Sequence, residues 1–101
     1  MQIKEVQIDN NVTITVSGRI DIETSQILEA SIEKWLPSPA INKIILNLSA
    51  VEYISSAGIR VLLSAQKQLS NNHELIIKTP SMVCKQVFDI TGADIFLKIE
   101  Y

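Results

Sequence analysis

Hydrophobic and polar positions alternate at the start of the chain, loosely over residues 2–8 and cleanly over 12–16. Ile3, Val6 and Ile8 are set against Lys4, Glu5 and Gln7. After the turn-forming cluster Asp9-Asn10-Asn11, Val12, Ile14 and Val16 are set against Thr13 and Thr15. A period of two sends successive side chains to opposite faces of an extended strand. The pattern therefore predicts two strands, residues 2–8 and 12–16, joined as a hairpin. The period then lengthens: Leu28, Ile32 and Trp35 recur at intervals of four and three, which predicts a helix over residues 23–36. Asp21 is suited to cap its start, Glu23 adds charge of the favourable sign to the first turn, and Pro37-Ser38-Pro39 stops it.

The run Ile44-Ile45-Leu46 marks a strand over residues 42–48, of the kind buried on both faces. Residues 48–54 read as a connection, with Val51, Tyr53 and Ile54 packed beneath it. A second helix over residues 56–70 carries Ile59, Leu62, Leu63 and Leu69, with Lys67 in its last turn and Asn71-Asn72 ending it. A strand follows at 74–78. Thr79 and Pro80 read as the cap and first position of a third helix, whose stripe is Val83, Val87 and Ile90 and whose end is Thr91-Gly92. Residues 95–99 form the last strand. The order β-β-α-β-α-β-α-β predicts an α/β domain spanning residues 1–101, with a mixed, mostly parallel sheet. Its crossovers bring Asp21, Ser55–Gly58 and Thr79 to the carboxyl edge of the strands, where open α/β sheets place their sites.

Composition narrows the function classes. Net charge is −2 and no basic run occurs, which argues against a dedicated nucleic-acid binder. The N-terminal residues lack the apolar core of a signal peptide, and no apolar run approaches the ~18 residues of a membrane span. The single cysteine, Cys84, has no partner for an internal disulfide, so a reducing cytoplasmic setting is expected. Three glycines and one histidine, His73 in a predicted turn, supply neither a phosphate cradle nor a metal cluster. The expectation is no enzyme, no catalytic residue, no metal and no cofactor. Trp35, Met82 and Cys84 read as packing residues.

The informative corner is Ser55-Ser56-Ala57-Gly58. One serine hydroxyl there is expected to cap the second helix. The other reading is a modified serine: a phosphate at a helix N-terminus meets free N–H groups and the positive end of the dipole, and adds about −1.5 to −2 charges to the surface. Asp21 has two readings as well, as a cap or as part of an acidic docking site. Arg60 and Lys67 read as solvated positions rather than phosphate ligands.

Three stretches carry a family resemblance: Gly18-Arg19-Ile20-Asp21, Ile44-Ile45-Leu46-Asn47-Leu48-Ser49, and Val51 through Leu63. With the order of elements, they resemble the STAS domain of stand-alone anti-sigma factor antagonists. The resemblance implies a single layer of helices over the sheet and a non-enzymatic partner switch. In that family the unmodified antagonist binds an anti-sigma factor that is also a serine kinase. Phosphorylation at the start of the second helix breaks the complex, and a serine/threonine phosphatase restores it. Carried onto this chain, the acceptor is Ser56, with Ser55 as the alternative, and the partner surface takes in Asp21, Ser55, Ser56, Ala57, Gly58 and Arg60. The family's Asp-Ser-Ser/Thr-Gly reads Ser55-Ser56-Ala57-Gly58 here, and its strand-end aspartate is Asn47. Relatives commonly carry a fourth helix after the last strand; without it, a bare sheet face is expected to favour a homodimer or a covering partner. A second function remains open: a STAS docking module of a transport ATPase or larger signalling complex that is never phosphorylated.

Overall fold

The computed structural model describes residues 1–70 and 72–101. Its elements are β1 (Gln2–Ile8), β2 (Asn11–Ile20), α1 (Ile22–Trp35), β3 (Lys43–Ile54), α2 (Ser56–Gln68), β4 (Glu74–Lys78), α3 (Met82–Thr91) and β5 (Lys98–Glu100), with a single 3-10 turn over Ala93–Ile95. The five strands form one sheet in the order β1-β2-β3-β4-β5. β1 runs antiparallel to β2 and the other neighbours are parallel. Each crossover steps to the next strand in the same direction. With right-handed connections, that places all three helices on one face.

The alternation of β2 now has its cause, whereas the apolar residues of β1 divide: Ile3 pairs with Val16 on the helix face, and Val6 and Ile8 lie on the other face and are exposed. Val12, Ile14 and Val16 point to the helix face and are fully buried, beside Ile44, Leu46 and Leu48 of β3 and Leu75 and Ile77 of β4. Leu28 and Ile32 of α1, Ile59 and Leu62 of α2, and Cys84 and Phe88 of α3 close the same cluster. β1 is fastened to α1 by a polar clamp. The Glu5 carboxylate accepts from Ser31 Oγ (2.5 Å), from Trp35 Nε1 (3.1 Å) and from Lys34 Nζ (2.6 Å).

Several expected boundaries differ. β3 does not end at residue 48. It continues to Ile54 along β2, and register shifts between Thr15 and Ser17 and between Gly18 and Arg19 allow three residues of β3 to face two of β2, then two to face one. Bulges of this kind break the two-residue period that marks a strand. Gly18 sits among them at φ 89°, a conformation that favours glycine. Thr79 does not cap α3. It takes φ 49° and donates its N–H to Glu100 O (2.7 Å), while Pro80 is buried and Ser81 caps the helix by accepting from Cys84 N. The α3 stripe is accordingly shifted by one residue. Cys84 and Phe88 are buried, whereas Ile90 and Met82 are exposed. Ile95 and Phe96 lie outside any strand, and both are exposed. α2 ends at Gln68; Asn71, given a share in ending it, lies outside the described residues.

Candidate functional site

β2 and β3 end level with one another. Ile20 pairs with Ile54, and Ser55 N donates to Ile20 O at 2.8 Å. The next residue of each strand caps a helix, so Asp21 and Ser55 stand side by side at the carboxyl end of the sheet. Thr79 does not join them. β4 ends at Lys78, opposite Asn47, and Ser81 N binds Leu48 O. β3 then runs a further six residues to Ile54, a distance of about 20 Å at the rise of a strand. The expected edge is therefore split, and the corner is built from the β2–α1 and β3–α2 junctions alone.

Asp21 caps α1 in a reciprocal box. Its Oδ1 accepts from Thr24 N at 2.9 Å, and Asp21 N donates to Thr24 Oγ1 at 2.8 Å. The Thr24 backbone and side-chain donors outweigh desolvation and, with smaller help from Glu23 N–H and the charge of Arg19, hold the Asp21 carboxyl below the ordinary carboxylate range. Asp21 is thus an anion at neutral pH, and it is partly exposed.

The two serines are unlike. Ser55 is 9 % exposed, and its Oγ accepts from Gly58 N at 3.2 Å. Ser56 is the first residue of α2 and is exposed. Among the described residues, its hydroxyl has no protein partner. Gly58 is buried beneath them, and a Cβ there would meet Ile20 Cγ2 and Ile54 Cγ1, each at 2.8 Å. The glycine lets α2 start directly against the ends of both strands. Arg60, one turn further on, is exposed, and Ala57 is half-buried. Ala57 and Arg60 form one wall of a groove of about 280 Å³ between α2 and α1, with Ile22 and Gln26 opposite.

The sequence reading missed two features of this surface. Arg19 lies over the Tyr53 ring at 4.2 Å to its centroid, on the strand pair leading into the corner. Ile22, directly after the Asp21 cap, is 70 % exposed. An apolar residue off the helix stripe, beside a cap, was its only signal. His73 lies elsewhere, in the turn before β4, bonded to Ser70 Oγ and to Ser38 O. Among the described residues, no three His, Cys, Asp or Glu side chains gather as a metal site, and no helix is long and apolar enough to cross a membrane.

Comparison with known proteins agrees with this fold. The family model described as the STAS domain matches residues 2–101. BtrV of Bordetella bronchiseptica, which carries the provisional name anti-sigma factor antagonist, is 29% identical over 93 residues, covering 91% of this chain and 79% of BtrV. An anti-sigma factor antagonist from Mycobacterium paratuberculosis superposes with a TM-score of 0.87 at 22% identity, over 97% of this chain and 83% of that one. The antagonist SpoIIAA in its unphosphorylated form superposes at 0.82 and 20% identity, over 99% and 89% of the two chains. The phosphorylated form of Bacillus SpoIIAA superposes at 0.75 and 20% identity, over 99% and 92%.

Proposed function

The chain belongs to the STAS domain family, and from that premise we propose that it is an anti-sigma factor antagonist that works by partner switching, with Ser56 as the phosphorylated residue. The observation that carries this reading is the division of labour between the two serines. Ser55 uses its hydroxyl to cap α2 and is buried; Ser56 is exposed at the first helical position. A phosphate on Ser56 meets the positive end of the α2 dipole, so the fold accepts it. The same phosphate adds about −1.5 to −2 charges beside the Asp21 anion, which changes the surface that a partner meets. That SpoIIAA is known in unphosphorylated and phosphorylated forms supports the same reading.

The unmodified corner, with Asp21, Ala57 and Arg60 around the serines and Gly58 buried beneath them as its support, binds an anti-sigma factor with serine kinase activity. Phosphorylation releases it, and a serine/threonine phosphatase resets the protein. The chain acts as a binding protein, not as an enzyme. Ser55 in the place of the family's aspartate favours a second reading, a docking module of a transport ATPase or signalling complex that is not phosphorylated.

The test is phosphosite-resolved mass spectrometry of the protein drawn from its own cells, with co-purifying proteins identified in the same sample. Phosphate on Ser56 beside an anti-sigma kinase is the expected result. Ser56→Asp keeps the fold and loses that kinase by at least about tenfold in affinity, the effect of roughly 1.4 kcal/mol; Ser56→Ala binds it constitutively. Phosphate on Ser55 moves the acceptor by one residue. If no phosphate occurs under any growth condition and Ser56→Asp binds as wild type does, the switch is wrong and the docking reading stands.

A further inference from the structure

β1 is the outermost strand of the sheet and pairs on one side only. Its hydrogen-bonding pattern follows from the hairpin. Ile8 and Asn11 close a two-residue turn and so form a hydrogen-bonded pair. Ile8, Val6, Lys4 and Gln2 therefore direct their backbone groups to β2, while Gln7, Glu5 and Ile3 direct theirs outward. Such an open row of N–H and C=O groups is a template for another strand. Its register with β2 is continuous from Gln2 to Ile8, with none of the bulges that interrupt β3. Lys4 stands exposed on this strand and Glu5 is drawn in over the core face, two devices that weaken edge pairing, but the Glu5 charge is met by Lys34 and the row of backbone groups stays open. On the opposite, helix-free face of β1, Val6 and Ile8 are 42 % and 67 % exposed.

We propose that a second copy of this chain adds its β1 antiparallel to this edge, across a two-fold axis at Val6, to give a continuous ten-stranded sheet. Two-fold pairing through the outward groups of Ile3, Glu5 and Gln7 allows the axis at Lys4, Glu5 or Val6. At Lys4 it sets two ammonium groups directly opposite one another, and at Glu5 two carboxylates; like charges in that position destabilise a strand pair. At Val6 it pairs Val6 with Val6 in the closer, non-hydrogen-bonded geometry, Glu5 with Gln7, and Lys4 with Ile8. The four apolar side chains of the two copies then cover one another. A single edge contact falls below the ~1,200 Å² of stable complexes, so the dimer is weak, with a Kd of roughly 10 μM to 1 mM. The two-fold axis turns the two Ser55–Ser56 corners to opposite ends of the dimer, and both stay open. The proposal is thus independent of whether Ser56 is phosphorylated.

Sedimentation equilibrium of the full chain from ~5 μM to ~1 mM tests the association, and cysteine scanning tests the register. Cys84, the chain's one cysteine, is buried and does not compete. We expect the weight-average mass to approach twice the monomer mass, and Val6→Lys to stay monomeric at every concentration with an unchanged thermal transition. In oxidised glutathione, which accepts the two electrons by thiol–disulfide exchange, Val6→Cys cross-links at least about tenfold faster than Lys4→Cys or Ile8→Cys, since only Val6 faces itself. A wild-type chain that stays monomeric to ~1 mM, a Val6→Lys variant that associates as wild type does, or Lys4→Cys linking faster than Val6→Cys each overturns the proposal.

Discussion

Ser55 and Ser56 differ because helix α2 begins between them. A helix start leaves N–H groups without partners, and the residue just before it is placed to return its side chain to them. Ser55 does so at Gly58 N (3.2 Å), and its hydroxyl is spent on the fold. Ser56, one position on, points away and remains chemically available. Ser55→Ala is therefore expected to lower stability by about 1 kcal/mol, read as a shift in the urea midpoint, while Ser56→Ala changes it by less than roughly 0.5 kcal/mol. If the two variants unfold at the same denaturant concentration, the assignment of the cap is wrong. The sequence showed two hydroxyls at a helix start and left open which one was the cap. That depended on where the first helical residue falls, a boundary fixed by the Ile20–Ile54 pairing rather than by either serine.

At the scale of elements, the polar clamp between β1 and α1 links an edge strand to the core. Burial alone raises the pKa of Glu5. The hydrogen bonds from Lys34, Ser31 and Trp35, with the Lys34 charge, outweigh it and leave the carboxyl below the ordinary range. A carboxyl lowered in the folded state binds its proton more readily in the unfolded chain. Its contribution is therefore complete above the unfolded value of about 4.3 and is lost as pH falls through the lower folded value. Asp21 at the α1 cap behaves with the same sign. Stability should be flat from neutral pH to about pH 5 and should fall below that. In Glu5→Gln the acid loss becomes shallower, and the β1 amides exchange faster at neutral pH. An acid profile unchanged in Glu5→Gln would show that the clamp does not couple to folding. This clamp was not read from the sequence. Glu5 looked like the polar half of an alternating strand, and only the packing of α1 over β1 turns it inward.

At the scale of the whole molecule, Gly58 marks the point where β2, β3 and α2 converge. An alanine there gains helix propensity worth about 1 kcal/mol. It also places a methyl 2.8 Å from both Ile20 and Ile54, two buried side chains. Overpacking of this kind costs roughly 1–3 kcal/mol, so Gly58→Ala should be neutral to destabilising by up to about 2 kcal/mol. It should also push α2 away from the strand ends and weaken partner binding more than the stability loss explains. Gly58→Ala that is clearly more stable than wild type would mean that the corner has room which the packing denies.

The sequence by itself determined the order of elements, the core faces of β2 and α1, and the polar helix starts at Asp21 and Ser55–Gly58; in α2 it found Ile59 and Leu62 but not Val61 and Ala65, which are buried where Leu63 and Leu69 are only partly so. These are local matters: periodicity, caps and short apolar runs act within a few residues, and each is written in the chain. Where distant segments compete, only the tertiary structure decided. β3 runs to Ile54 because β2 offers it a bulged ladder that no local period announces. The cap of α3 moves to Ser81 because Thr79 is held by Glu100 and Pro80 is buried. Cys84 and Phe88, not Val83 and Ile90, face the core because that shifted start rotates the helix. The meeting of Asp21 with Ser55, and the distance of Thr79 from both, come from strand register. Register is a property of a pair of strands, and neither strand carries it alone.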